Sequence, residues 1–103
     1  MAIDLAQKVQ AETLDKIIAK LIDLRQSVGD WNVNTSECYR HALRKFIEWY
    51  KVNTDNYDST RALARDWISR AKGRKDNENN YRVVGNLAIM VADLLQVQDI
   101  YNI

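Results

Sequence analysis

Apolar side chains recur three and four residues apart along almost the entire chain, and no proline interrupts them. That spacing matches a helix of 3.6 residues per turn, and no stretch shows the strict alternation of a half-buried strand. With only three glycines in 103 residues to break the period, the sequence predicts an all-α fold. A chain of this length can bury one core without disulfides or metals to staple it, and it leaves no room for a second domain. Residues 1–103 are therefore expected to form a single helical domain, a compact bundle of four principal helices.

The strongest helix signal runs from Asn34 to Lys51. Asn34 can cap by accepting from the N–H groups of the first turn, and Glu37 can reach back to the Asn34 N–H, a variant of the capping box. Tyr39, Ala42, Leu43, Phe46, Ile47 and Tyr50 then share one apolar side. The other side holds Arg40, His41, Arg44 and Lys45, with Glu37 and Glu48 as the nearby acids. Such a face is either plain solvated surface or a surface that binds anions.

Upstream, Leu14, Ile17, Ile18, Leu21, Ile22 and Leu24 predict a first helix that ends near Gln26, with Lys16, Lys20 and Asp23 on its solvated face. Ile3, Leu5, Ala6 and Val9 continue the period imperfectly. Gly29 suits the position just past that helix, where a positive φ is wanted. Trp31, in the short linker, reads as a lid on the core, with base stacking as the sharper alternative.

Downstream, Val52–Asp58 reads as a polar loop. A third helix starts at Ser59 or Thr60, buries Leu63, Ala64, Trp67, Ile68 and Ala71, and ends at Lys72-Gly73. The last helix, from about Asn79 to Val97, is apolar on two faces. Tyr81, Val84, Ala88, Val91, Ala92 and Leu95 form one, and Val83, Leu87, Met90 and Leu94 the other. A helix apolar nearly all round is central to its bundle or carries a second contact surface.

The net charge of +1 hides an uneven distribution. Residues 34–75 carry ten Lys and Arg against five Asp and Glu, whereas residues 1–33 carry four against five and residues 76–103 one against four. A basic block inside a near-neutral domain can form an electrostatic footprint for nucleic acid. Lys72, Arg74 and Lys75, on a turn with Gly73, suit phosphate groups better than a core, while Asp66 can pair with Arg70 at i,i+4. The lone Cys38 excludes an internal disulfide and reads as a small packed residue in a reduced intracellular protein. No long apolar run supports a signal peptide or a membrane span, so a cytoplasmic location with no membrane partner is expected.

The opening Asn34-Thr35, then Tyr39-Arg40, Leu43, Phe46-Ile47 and Trp49, resembles the second helix of the core-binding domain of tyrosine recombinases, the phage-integrase family. The likeness extends from about Leu21 to the C-terminus through a third helix, a polar break and a final helix. The ending Gln98–Ile103 is similar to the segment that leaves that domain toward the catalytic one. The resemblance implies a SAM-like bundle that holds the double-stranded DNA of a recombination site, for integration or site-specific recombination. It implies, by position, that Thr35, His41 and Arg44 from the second helix and Asn79 and Arg82 from the last approach the major groove. Charge and spacing add Arg40, Lys45, Lys72, Arg74 and Lys75 as phosphate contacts.

In that family the catalytic Arg, Lys, His and Tyr lie in a C-terminal domain that this chain lacks, so no enzymatic activity is expected of it. The chain also has no Gly-rich phosphate loop, paired-cysteine metal spacing, HExxH or nucleophile elbow, and His41 has Arg40 and Arg44 as neighbours rather than a carboxylate. No cofactor or metal is expected. The rival reading is a protein-interaction module of a phage or mobile element, acting through the last helix on a separate partner, a second copy or a catalytic domain.

Overall fold

The computed structural model describes residues 8–101, with side chains as far as Leu95. Ile3, Leu5, Ala6 and the side chains of the Gln98–Ile103 exit lie outside that range. Helices α1 (Ala11–Ser27), α2 (Val33–Asn53), α3 (Thr60–Ala71) and α4 (Glu78–Tyr101) follow one another, with a single 3₁₀ turn at Thr54–Asn56. No strand occurs among the described residues, so the all-α expectation holds. α1 packs on α2 and α3 on α4, and the α2–α4 contact joins the two pairs.

Side-chain and backbone caps set the helix ends. α1 closes in a Schellman motif: Gly29, at φ 84, donates to the Gln26 carbonyl and Asp30 donates to that of Arg25. The start of α2 differs from expectation. Asn32, not Asn34, is the cap, its Oδ1 accepting the Thr35 N–H at 2.8 Å. Its extended backbone puts the amide oxygen over the first turn, whereas Asn34 is already helical and Glu37 turns instead to Arg40. α2 also runs past Val52 to Asn53, where Asn53 and Thr54 side chains donate to the carbonyls of Trp49 and Tyr50. Ser59 caps α3 by accepting from the Ala62 N–H, and α4 begins at Glu78.

The core takes Leu14, Ile18 and Ile22 from α1, the predicted apolar side of α2 from Tyr39 to Tyr50, Leu63, Ala64, Trp67 and Ala71 from α3, and Val84, Ala88, Val91 and Ala92 from α4. Each large aliphatic side chain fully buried there stabilises the fold by about 1.5–3 kcal/mol. Trp31 packs edge-on against Tyr39, with ring centroids 4.6 Å apart, and lids the core as expected. Two expectations fail. Leu24 is 57% exposed and Cys38 is exposed, because the bundle covers a narrower arc at the α1 end and the α2 start than the apolar pattern spans.

Two further features hold the helices in place. Gly85 lies where α4 crosses α3, and a Cβ there would stand 2.5 Å from Ile68 Cγ1 and 3.1 Å from Trp67 Cδ1. A buried polar triad ties three parts of the chain together. The Tyr50 hydroxyl donates to the Val9 carbonyl at 2.5 Å, the Thr60 hydroxyl lies 2.8 Å from the Tyr50 oxygen, and the Val9 N–H donates to Thr60 Oγ1 at 2.8 Å. Because the phenol proton is committed to Val9, the Thr60 proton goes to Tyr50. Burial raises the Tyr50 phenol above its ordinary range, against the opposing pull of the Thr60 bond.

Candidate functional site

α2, α3, the α3–α4 turn and the start of α4 meet at a cleft of about 240 Å³, lined by Lys45, Trp49, Trp67, Arg70, Ala71, Arg74 and Tyr81. The helical register builds it. Lys45 and Trp49 are four apart on α2, and Trp67, Arg70, Ala71 and Arg74 follow the i, i+3, i+4, i+7 stripe of α3 and its exit. Trp67 forms the fixed floor. Its indole N–H donates to the Tyr81 carbonyl at 2.8 Å, and its ring packs against Phe46, Trp49 and Tyr81 at centroid distances of 5.2, 5.4 and 4.8 Å. The Arg70 guanidinium lies 6.0 Å from the Trp49 ring centre and that of Arg74 5.7 Å from that of Tyr81, which is cation–π range.

Arg70 is also held from behind. Asp66 accepts its Nε–H at 2.9 Å, and the Tyr57 hydroxyl donates to the same carboxylate oxygen. The Tyr57 bond, then Arg70, holds the Asp66 carboxyl below its usual range, and Asp66 in turn raises both the Tyr57 phenol and the Arg70 guanidinium. Among the described residues Asp66 takes only the Nε–H of Arg70. Among the described residues no acid lines the cleft.

Lys45 and Arg74 thus converge on one cleft. Lys72 and Lys75 flank it on the exposed turn around Gly73, whose φ is 85. Asn79 and Arg82 touch each other on the first turns of α4, Arg82 donating to Asn79 Oδ1 at 2.8 Å. His41 and Arg44 are exposed on α2, with His41 one turn before Lys45. Thr35 is half-buried ten residues before Lys45, about 15 Å along the helix axis. Among the described residues, Arg44, Lys45, Lys72, Arg74, Lys75 and Arg82 form no ion pair.

Arg40 is different. Its guanidinium donates to Asp23 at 2.8 Å and Gln26 at 2.6 Å on α1 and to Glu37 at 2.8 Å on its own helix. The Asp23 bond chiefly raises its pKa, against a smaller desolvation effect. Charge and spacing place Arg40 among the phosphate contacts; in the structure three of its N–H bonds are engaged, two of them joining α1 to α2 and one to Glu37 on its own helix.

Sequence reasoning passed over Arg70, Trp49, Trp67 and Tyr81. The i,i+4 spacing pairs Arg70 with Asp66 and the helical period puts the aromatic residues in packing positions, and the structure shows both. The stripe Trp67, Arg70, Ala71, Arg74 was the available signal, since it mixes aromatic and cationic residues on one side of a helix. On α4, Val83 and Leu87 pack against the core, so the second apolar face narrows to Met90, 40% exposed, and Leu94, 60% exposed.

Among the described residues no helix is long and apolar enough to cross a membrane, and no three His, Cys, Asp or Glu side chains are grouped to hold a metal ion. No protein-family model, characterised protein or solved structure matches the chain.

Proposed function

We propose that this chain binds double-stranded DNA in the manner of a tyrosine-recombinase core-binding domain, holding one face of a recombination site while catalysis belongs to a separate domain. The observation that carries this reading is the set of exposed cations that form no ion pair among the described residues, in which Lys45 and Arg74 from distant parts of the sequence line one cleft and Lys72 and Lys75 flank it. Cations already committed to acids stabilise the fold; these remain available to phosphates. In this reading Lys45, Lys72, Arg74 and Lys75 hold backbone phosphates. His41, Arg44, Asn79 and Arg82 face the groove, and Thr35 extends the contact along α2. Its distance of about 15 Å from Lys45 is comparable with a major-groove width of about 12 Å.

Four to five neutralised phosphates give a log–log slope of affinity against salt of roughly −4. Titrating a labelled duplex at several salt concentrations measures it. Absence of duplex binding at low salt overturns the proposal in favour of an interaction module, for which Met90 and Leu94 supply exposed apolar surface on α4.

A further inference from the structure

We infer that the cleft between α2, α3 and α4 seats a single unpaired nucleotide, with its phosphate on Lys45, Arg70 and Arg74 and its base against Trp49 and Tyr81. Size sets the first limit. At about 240 Å³ the cleft is smaller than the roughly 300–1,000 Å³ of pockets that enclose drug-sized ligands, so its occupant is no larger than about one nucleotide and is held partly outside it. Composition sets the second. Lys45 and Arg74, which form no ion pair among the described residues, call for an anion, and Arg70 adds the N–H groups that its bond to Asp66 leaves over, while Trp49, Trp67, Ala71 and Tyr81 offer apolar, mutually inclined surface that a bare phosphate does not need.

A nucleotide carries both an anionic and a flat aromatic part. Bases stack on aromatic rings and on guanidinium planes alike. Here Arg70 and Arg74 already lie over Trp49 and Tyr81, so a base meets each ring together with its guanidinium plane, and the N–H groups not bonded to Asp66 are the donors left for a phosphate. The site is also preorganised. Asp66 holds Arg70 from behind, and the Tyr81 carbonyl fixes the Trp67 indole, so little side-chain freedom is lost on binding. The inference shares Lys45 and Arg74 with the duplex reading but does not depend on it, because Arg44, Lys72, Lys75 and Arg82 lie outside the cleft.

The three tryptophans make the test direct. In a Trp31→Phe protein both remaining indoles line the cleft, so intrinsic fluorescence reports its occupancy. A nucleoside 5′-monophosphate is expected to quench it saturably, binding at least about fivefold more tightly than the nucleoside or inorganic phosphate alone. Lys45→Gln and Trp49→Ala are each expected to weaken binding about fivefold or more with helical circular dichroism unchanged; Trp49→Leu replaces the alanine variant if that one unfolds. A duplex with a one-nucleotide 5′-phosphorylated overhang, compared with a blunt duplex, separates a strand end from a free nucleotide as the source. Cleft-dependent binding of either ligand supports the seat. Absence of saturable binding by both, binding that survives both substitutions, or inorganic phosphate binding as tightly as the monophosphate overturns it. Blunt-duplex binding that persists after such a result leaves the duplex reading standing, and its loss while the mononucleotide still binds removes the duplex reading alone.

Discussion

Arg40 and Lys45 lie five residues apart on α2 and meet opposite surroundings. Three oxygens from Asp23, Gln26 and Glu37 accept from the guanidinium, whereas the ammonium faces a cleft that no acid lines among the described residues. Arg40→Ala is therefore expected to lower the thermal midpoint while leaving the salt dependence of duplex binding unchanged, whereas Lys45→Ala lowers the slope by about 1. Parallel salt titrations check this, and a slope that falls equally in both variants would return Arg40 to the phosphate contacts. The sequence shows the charge on Arg40 but not its partners, because Asp23 and Gln26 are seventeen and fourteen residues away and meet it only once α1 has packed on α2. Ser36 makes a different point for a neutral group. It is fully buried in α2 on the side of Tyr39 and Leu43, with its hydroxyl unpartnered among the described residues, so the helical period places it in the core although its residue type alone reads as surface.

The helices themselves were largely legible, since their apolar period survives packing, and Leu63, Ala64, Trp67, Val84 and Ala88 are buried as the pattern requires. Boundaries were less so. Asn32 and Asn34 have the same side chain, and only the extended backbone at Asn32 decides which of them caps α2. The continuation through Val52 and Asn53 depends on side chains that bond the last carbonyls, which a period cannot register. Gly85 was illegible for a different reason: a helical glycine usually weakens its helix, and the reason for this one is the close approach of α3. Gly85→Ala should gain about 1 kcal/mol of helix propensity and lose more through the clash with Ile68 and Trp67, a net destabilisation of up to about 2 kcal/mol. Urea denaturation measures the balance, and a more stable variant would mean that Ile68 yields without cost. A shift of Trp67 would also disturb the cleft floor.

At the scale of the whole molecule, the fold sorts charge that the sequence only counts. The basic block of residues 34–75 is divided between cations that join elements, such as Arg40 to α1 and Arg61 to Asp93 of α4, and cations left open around the cleft and its flanking turn. That division depends on contacts between segments far apart in sequence, and so could not be read from charge alone. The triad of Val9, Tyr50 and Thr60 links distant segments in a different way, and it has a kinetic consequence. Val9 precedes the first helix, where a backbone N–H ordinarily meets water freely and exchanges its hydrogen quickly. Here that N–H donates to a buried hydroxyl. Its exchange with deuterium should therefore be as slow as that of amides in the middle of α2, and Thr60→Ala should return it to the fast class while the α4 amides keep most of their protection. Amide exchange followed by NMR reads both. A Val9 amide that exchanges fast in the parent protein would mean that the segment before α1 opens independently of the bundle.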